Sequence, residues 1–191
     1  MKKKILAMAV MLICLSILAS TTLAYFTDVE TARNVITSGG ISIQVVEQQL
    51  VDGTLKPYPE EPIMIMPGET VSKIVSVSNM EQAAWVRLSY TVTVLDPDGE
   101  EMTVPAQELA KMVIITPDDE NWTMKDGWWY YTAALSTGEN AKPLFEQVYF
   151  SGRDIGNDYQ LCSIIIDVTA QAVQKANNGE TVLDAAGWPE T

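Results

Sequence analysis

Carboxylates, aromatics and two cysteines carry the chemistry this chain has to offer, and none of its 191 residues is histidine. A zinc hydrolase of the His-Glu-x-x-His kind needs imidazole ligands beside its general-base glutamate. A serine or cysteine hydrolase needs a base next to the nucleophile, most often histidine. Both routes are closed. Paired carboxylates can serve a glycosidase, and Asp118, Asp119, Glu120 and Asp126 are at hand. With 25 acidic residues against 12 basic ones, solvated turn carboxylates are their ordinary reading. The residues predict no enzyme and no cofactor.

Two constellations could hold a ligand. Asp96, Asp98 and Glu100, with Glu101 beyond, flank Gly99 and offer hard oxygens for calcium within a short loop. They lack the twelve-residue pattern of an EF-hand, and Asp-Pro-Asp-Gly is first of all turn chemistry. They stand as a weak candidate, with no metal site predicted. Trp128, Trp129, Tyr130 and Tyr131 form an aromatic run whose rings could stack on sugar faces. In a strand alternate members point oppositely, so one pair belongs to the core, and the other is either exposed for a glycan or covered by a loop. Asn121-Trp122-Thr123 matches a glycosylation sequon, read here as coincidence.

The elements that position these residues begin with an address. Lys2, Lys3 and Lys4 precede an uncharged apolar run, Ile5 to Ala19, and Thr22-Leu23-Ala24 supplies small residues for a signal peptidase. This reads as a secretory signal, residues 1–24, cleaved between Ala24 and Tyr25. Left uncleaved it would hold the chain at a membrane, its only expected link to one. Cys14 lies inside the apolar run, after Ile13 where a lipobox needs a small residue, so lipidation is not expected. Loss of the three lysines takes the formal charge from −13 to −16. Such an acidic product excludes nucleic acid and anionic lipid as partners, since both need basic surfaces. Cys162 would then be the only cysteine, so no intrachain disulfide is possible.

Residues 25–38 are polar and aperiodic and read as an extended segment; residues 39–175 read as one β-domain. Ile41, Ile43 and Val45 alternate with polar neighbours, as do Val71, Val75 and Val77, with Lys73 at an apolar-phase position near an edge. Trp85 to Leu95 gives the clearest strand: Val86, Leu88, Tyr90, Val92 and Val94 on one face, Arg87, Ser89, Thr91 and Thr93 on a wet one. Asp52-Gly53 and the Lys56 to Pro62 run read as loop, and Pro105 to Met112 as a short helix. Val113 to Thr116, Gly127 to Leu135 and Leu144 to Phe150 read as strands. In the last strand Cys162, Ile164, Ile166, Val168, Ala170 and Ala172 share an apolar face. Residues 176–191 read as a loose or partly helical tail. Short strands punctuated by turns, with one or two short helices, predict an all-β antiparallel sandwich.

Tyr25-Phe26-Thr27-Asp28, then Thr31, Asn34 and Ser38-Gly39-Gly40-Ile41-Ser42-Ile43, resemble the start of the TasA/camelysin family of exported Gram-positive proteins. Further echoes are Pro67 to Asn79, Trp85 to Val92, Asp126 to Tyr131, Pro143 to Phe150 and Val168 to Gln174. The resemblance implies processing by a SipW-type signal peptidase and refines the sandwich to a jelly roll. It implies a secreted protein of the biofilm matrix or cell surface, with no stop sequence or sorting motif after Trp188 to attach it. The family's metalloprotease label does not transfer to a chain without histidine. Its fibre-forming members complete the next subunit's sheet with an N-terminal segment. Here that segment is Phe26 to Ile36, with Phe26, Val29, Ala32, Val35 and Ile36 as apolar anchors that do not alternate strictly. Extended, Tyr25 to Ser38 reaches roughly 46–50 Å. The expected partners are copies of itself or related matrix proteins. The alternatives are a monomeric binding module, with glycan at Trp128 to Tyr131, and an accessory subunit of another fibre.

Overall fold

The alternation read in Trp85 to Leu95 becomes one half of the longest ladder in the molecule. In the computed structural model, which describes residues 35–36, 40–159 and 161–189, strand β5 (Ala84–Leu95) pairs antiparallel with β10 (Ser163–Gln174) along its whole length. The register sets Val86 against Ala172, Leu88 against Ala170, Tyr90 against Val168, Val92 against Ile166 and Val94 against Ile164. Two apolar stripes of period two thus coincide, and a one-residue slip would turn both outward.

The other strands are β1 (Val35–Ile36), β2 (Ile43–Val51), β3 (Thr54–Pro57), β4 (Thr70–Asn79), β6 (Val113–Ile115), β7 (Trp122–Lys125), β8 (Trp128–Tyr131) and β9 (Phe145–Phe150). They form two five-stranded sheets, ordered β1-β10-β5-β8-β7 and β3-β2-β4-β9-β6. The chain crosses between sheets after β1, β4, β5, β6, β8 and β9, and residues from both inner faces build one core: Ile43, Val75, Val77, Val86, Leu88, Phe145, Val148 and Ala170 are all buried. The all-β sandwich is therefore the fold. One α-helix, α1 (Ala106–Met112), starts after Pro105, and Met112 is fully buried. Every pairing is antiparallel except β1 with β10, which is parallel.

Two strands that the sequence reading left as loop or unassigned are hairpin partners. Asp52 (φ 51°) and Gly53 (φ 74°) form the two-residue turn joining β2 to β3. Asp126 (φ 51°) and Gly127 (φ 82°) join β7 to β8. Both central residues have positive φ, the turn whose twist matches a hairpin. Pro57 ends β3 at a sheet edge, where its missing donor is harmless. Gly127 to Leu135 is shorter than expected as a strand, ending at Tyr131, and Leu135 touches Ala84 only by an isolated bridge.

Polar groups at apolar-phase positions satisfy one another. Lys73 is buried rather than at an edge: its Nζ lies 3.0 Å from the Glu47 carboxylate and 3.9 Å from the Tyr58 ring centroid. A bulge between Ser72 and Val75 accommodates it. Burial, then the Glu47 charge, raises the Tyr58 pKa above its usual 10.0. Asn79, fully buried, donates from Nδ2 to the carbonyls of Gln82 (2.8 Å) and Leu135 (2.9 Å), stapling the end of β4 to the approach to β9.

Candidate functional site

Of the segment anchors, Val35 and Ile36 form β1, set parallel against Ala170 and Gln171. Phe26, Val29, Ala32 and the cleavage pair Ala24–Tyr25 lie outside the described residues. The site they bear on is β10. One edge of this strand is filled by β5 throughout, whereas the other meets β1 at two residues only. Among the described residues, Ser163 to Thr169 has no ladder partner on that side. Its sequence is Ser-Ile-Ile-Ile-Asp-Val-Thr, with one charge, no proline and no glycine. Ile164, Ile165 and Ile166 are half-buried, so an added strand would cover them while taking up free N–H and C=O groups. Apart from Asp167, an edge of this composition lacks the charges, prolines and bulges that ordinarily block strand addition.

The aromatic run splits as alternation requires, but its outer pair is not open. Trp129 and Tyr131 pack on the main core, while Trp128 and Tyr130 join Trp85, Val173 and Val182 in a second cluster on the outer face of the β5 sheet. The C-terminal residues cover that face. Trp188 meets Tyr130 edge-on, centroids 5.5 Å apart at 89°. The Arg87 guanidinium lies 4.3 Å from the Trp128 ring and 4.7 Å from that of Trp188. It donates from Nε to Gln171 Oε1 (2.9 Å), from Nη1 to Tyr130 Oη (2.8 Å) and from Nη2 to the Pro189 carbonyl (3.2 Å). Asn178 ties the strap to itself, donating from Nδ2 to the Ala186 carbonyl (3.0 Å) and accepting the Ala186 N–H at Oδ1 (2.8 Å).

One expectation is thereby sharpened and another corrected. Of the two readings of residues 176–191, loose or partly helical, the described residues up to Pro189 follow the second, with a short 3-10 helix at Val182–Asp184, and pack on the sheet; Arg87 is buried rather than wet, at 8 % exposure. The physical reason is that Trp85, Trp128 and Tyr130 leave a large apolar area on the outer face, and Val182 and Trp188 cover it. Those aromatics at water-phase positions, together with the tryptophan in the tail, were the signal available in the sequence.

The Asp96 stretch forms the turn its residues suggested. Asp96 Oδ1 accepts the N–H groups of Asp98 and Glu100, each at 2.9 Å, so the carboxylate serves its own turn. No group of three or more metal-ligating side chains converges among the described residues. Asp118 behaves similarly at the rim of a hollow of about 700 Å³: its carboxylate accepts from Glu120 N (3.0 Å) and Asn121 Nδ2 (2.7 Å). Cys162 is half-buried rather than a core residue, and its Sγ lies 3.5 Å from Met102 Sδ. No helix among the described residues is long and apolar enough to cross a membrane.

Comparison with protein-family models, curated proteins and solved structures gave no match.

Proposed function

We propose that this is an exported, non-enzymatic structural protein of the biofilm matrix or cell surface. After SipW-type processing at Ala24–Tyr25 it assembles into fibres, each copy exchanging the pairing of Val35 and Ile36 with its own β10 for one in which its Phe26 to Ile36 segment lies along the β10 edge of the next. The Ser163 to Thr169 edge, unpaired on one side among the described residues, carries this reading, because an extended peptide adds to such an edge with main-chain hydrogen bonds for affinity and side-chain pockets for selection. The resemblance to the TasA/camelysin family, the signal-like residues 1–24 and the reach of the following segment support it. The anchors Phe26, Val29, Ala32 and Val35 recur every three residues, which a strand's period of two does not match. The donated segment therefore bends or inserts in part. The strap over Trp128 and Tyr130 weighs against glycan binding at that face.

The test compares the mature protein with a version beginning at Thr37, by size-exclusion chromatography and electron microscopy across concentration and acidic pH. Fibres from the first and monomers from the second are expected. Acid relieves the self-repulsion of a subunit near −16. If both stay monomeric under every condition, fibre formation by this chain is wrong; if both form fibres, the segment is not the donor. A mature protein that joins only fibres of a related matrix protein would be an accessory subunit.

A further inference from the structure

Four non-glycine residues among those described have positive φ: Asp52, Asp126, Asn177 and Leu161. The first three are of the types whose short polar side chains tolerate the left-handed region. Leu161, at φ 65°, is not. A branched aliphatic side chain gains no local hydrogen bond there, and burial does not offset the strain, because Leu161 is 82 % exposed.

The turn around it is pinned on both sides. Tyr159 packs against the core and donates its hydroxyl to Glu108 on α1 at 2.7 Å. Cys162 donates its N–H to the Tyr159 carbonyl at 3.3 Å and sets its sulfur on Met102. With Tyr159 and Cys162 held in this way, Leu161 is left outside in a costly conformation. Strain of this kind persists where the surroundings enforce it, and it gathers at working surfaces. Leu161 stands two residues ahead of Ser163, at the mouth of the unpaired β10 edge.

The geometry points to Leu161 as a docking residue for a second copy of this chain: an apolar anchor, held out by its own backbone, that the incoming N-terminal segment covers with Phe26 or Val29. This rests on the fibre reading and adds to it a specific contact on the acceptor side. Continuity with the β10 edge selects the occupant. A segment lying along Ser163 to Thr169 has to pass over or beside Leu161 at one end, and its apolar anchors are what such a residue would meet.

Leu161→Asn and Leu161→Gly separate this role from a structural one, because the two roles predict opposite signs. Both replacements suit a left-handed backbone, so the urea-unfolding midpoint of the monomer should hold or rise. Assembly, followed by light scattering and electron microscopy, should slow about tenfold to a hundredfold, the worth of one covered leucine. Leu161→Met, which keeps an apolar chain, should assemble within about threefold of the parent, well inside that range.

Two results overturn the inference: assembly of the Asn and Gly variants at the parent rate, or a fall in their unfolding midpoint. The protein beginning at Thr37 is run beside them. If it stays monomeric while Leu161→Asn assembles normally, only the anchor is lost. If it assembles like the parent, or the parent never assembles, the donor reading is lost as well.

Discussion

Replacing Trp188 by alanine tests the strap where the chain's C-terminal residues meet the outer sheet. The indole makes three separable contacts: its edge-to-face packing with Tyr130, its stacking on the Arg87 guanidinium, and the bond from Nε1 to the Ala185 carbonyl at 3.0 Å. The corresponding ranges are about 0.5–1.5 kcal/mol for the aromatic pair, about 0.5–2 kcal/mol for the cation–π contact and about 0.5–1.5 kcal/mol for the hydrogen bond. Trp188 is only half-buried, so a total of about 2–3 kcal/mol is expected. For a chain of this size that is a fall in Tm of about 4–12 °C.

The assay is urea unfolding of Trp188→Ala, Arg87→Met and the double variant, with the coupling energy taken from the cycle. A coupling of about 0.5–2 kcal/mol is expected if guanidinium and indole stabilise one another. Amide exchange adds a second readout. Gln171 binds Arg87 through its side chain while its backbone pairs with Ile36 in β1, so loosening the strap should speed exchange at Ala170 and Gln171. A loss below about 0.5 kcal/mol for Trp188→Ala, or additivity within about 0.3–0.5 kcal/mol, would show that the guanidinium stack does not hold the strap.

Asn79→Ala should cost about 1–3 kcal/mol, because the carbonyls of Gln82 and Leu135 lose their buried donor; chemical denaturation measures it, and a change under about 0.5 kcal/mol would refute the staple. Tyr58 and Tyr90 both have pKa values raised above 10.0, chiefly by burial. Their contribution to stability is therefore fully present below pH 10, where folded and unfolded forms are both protonated. It is lost above that, as the unfolded chain ionises first and pH rises through the higher folded value. Tyr90→Phe should flatten the decline in unfolding midpoint above about pH 10 and leave the slope near neutrality unchanged; an unaltered alkaline decline would contradict the raised value.

Strands with strict alternation were legible residue by residue, because a period of two with apolar side chains on one phase has few solutions. β5 and β10 were of this kind, while the helix after Pro105 was legible from its proline start, early Glu108 and late Lys111. The hairpin strands β3 and β7 were not: Thr54 to Pro57 and Trp122 to Lys125 are short, at sheet edges, and defined by the partner they bond rather than by any pattern of their own. Lys73 read as a charge at an apolar-phase position near an edge until its side chain met Glu47.

The site divides along the same line. Sequence alone determined the acidity, the lack of imidazole and the apolar run that follows Lys2, Lys3 and Lys4, since each depends only on which residues are present and in what order. Tertiary structure decided which surfaces remain free. It buried Arg87 and the outer aromatics under Trp188 and, among the described residues, left Ser163 to Thr169 paired on one side only. Those outcomes turn on contacts between residues far apart in the chain, such as Arg87 with Gln171 and Pro189, and no local pattern of residue types records which distant neighbour arrives.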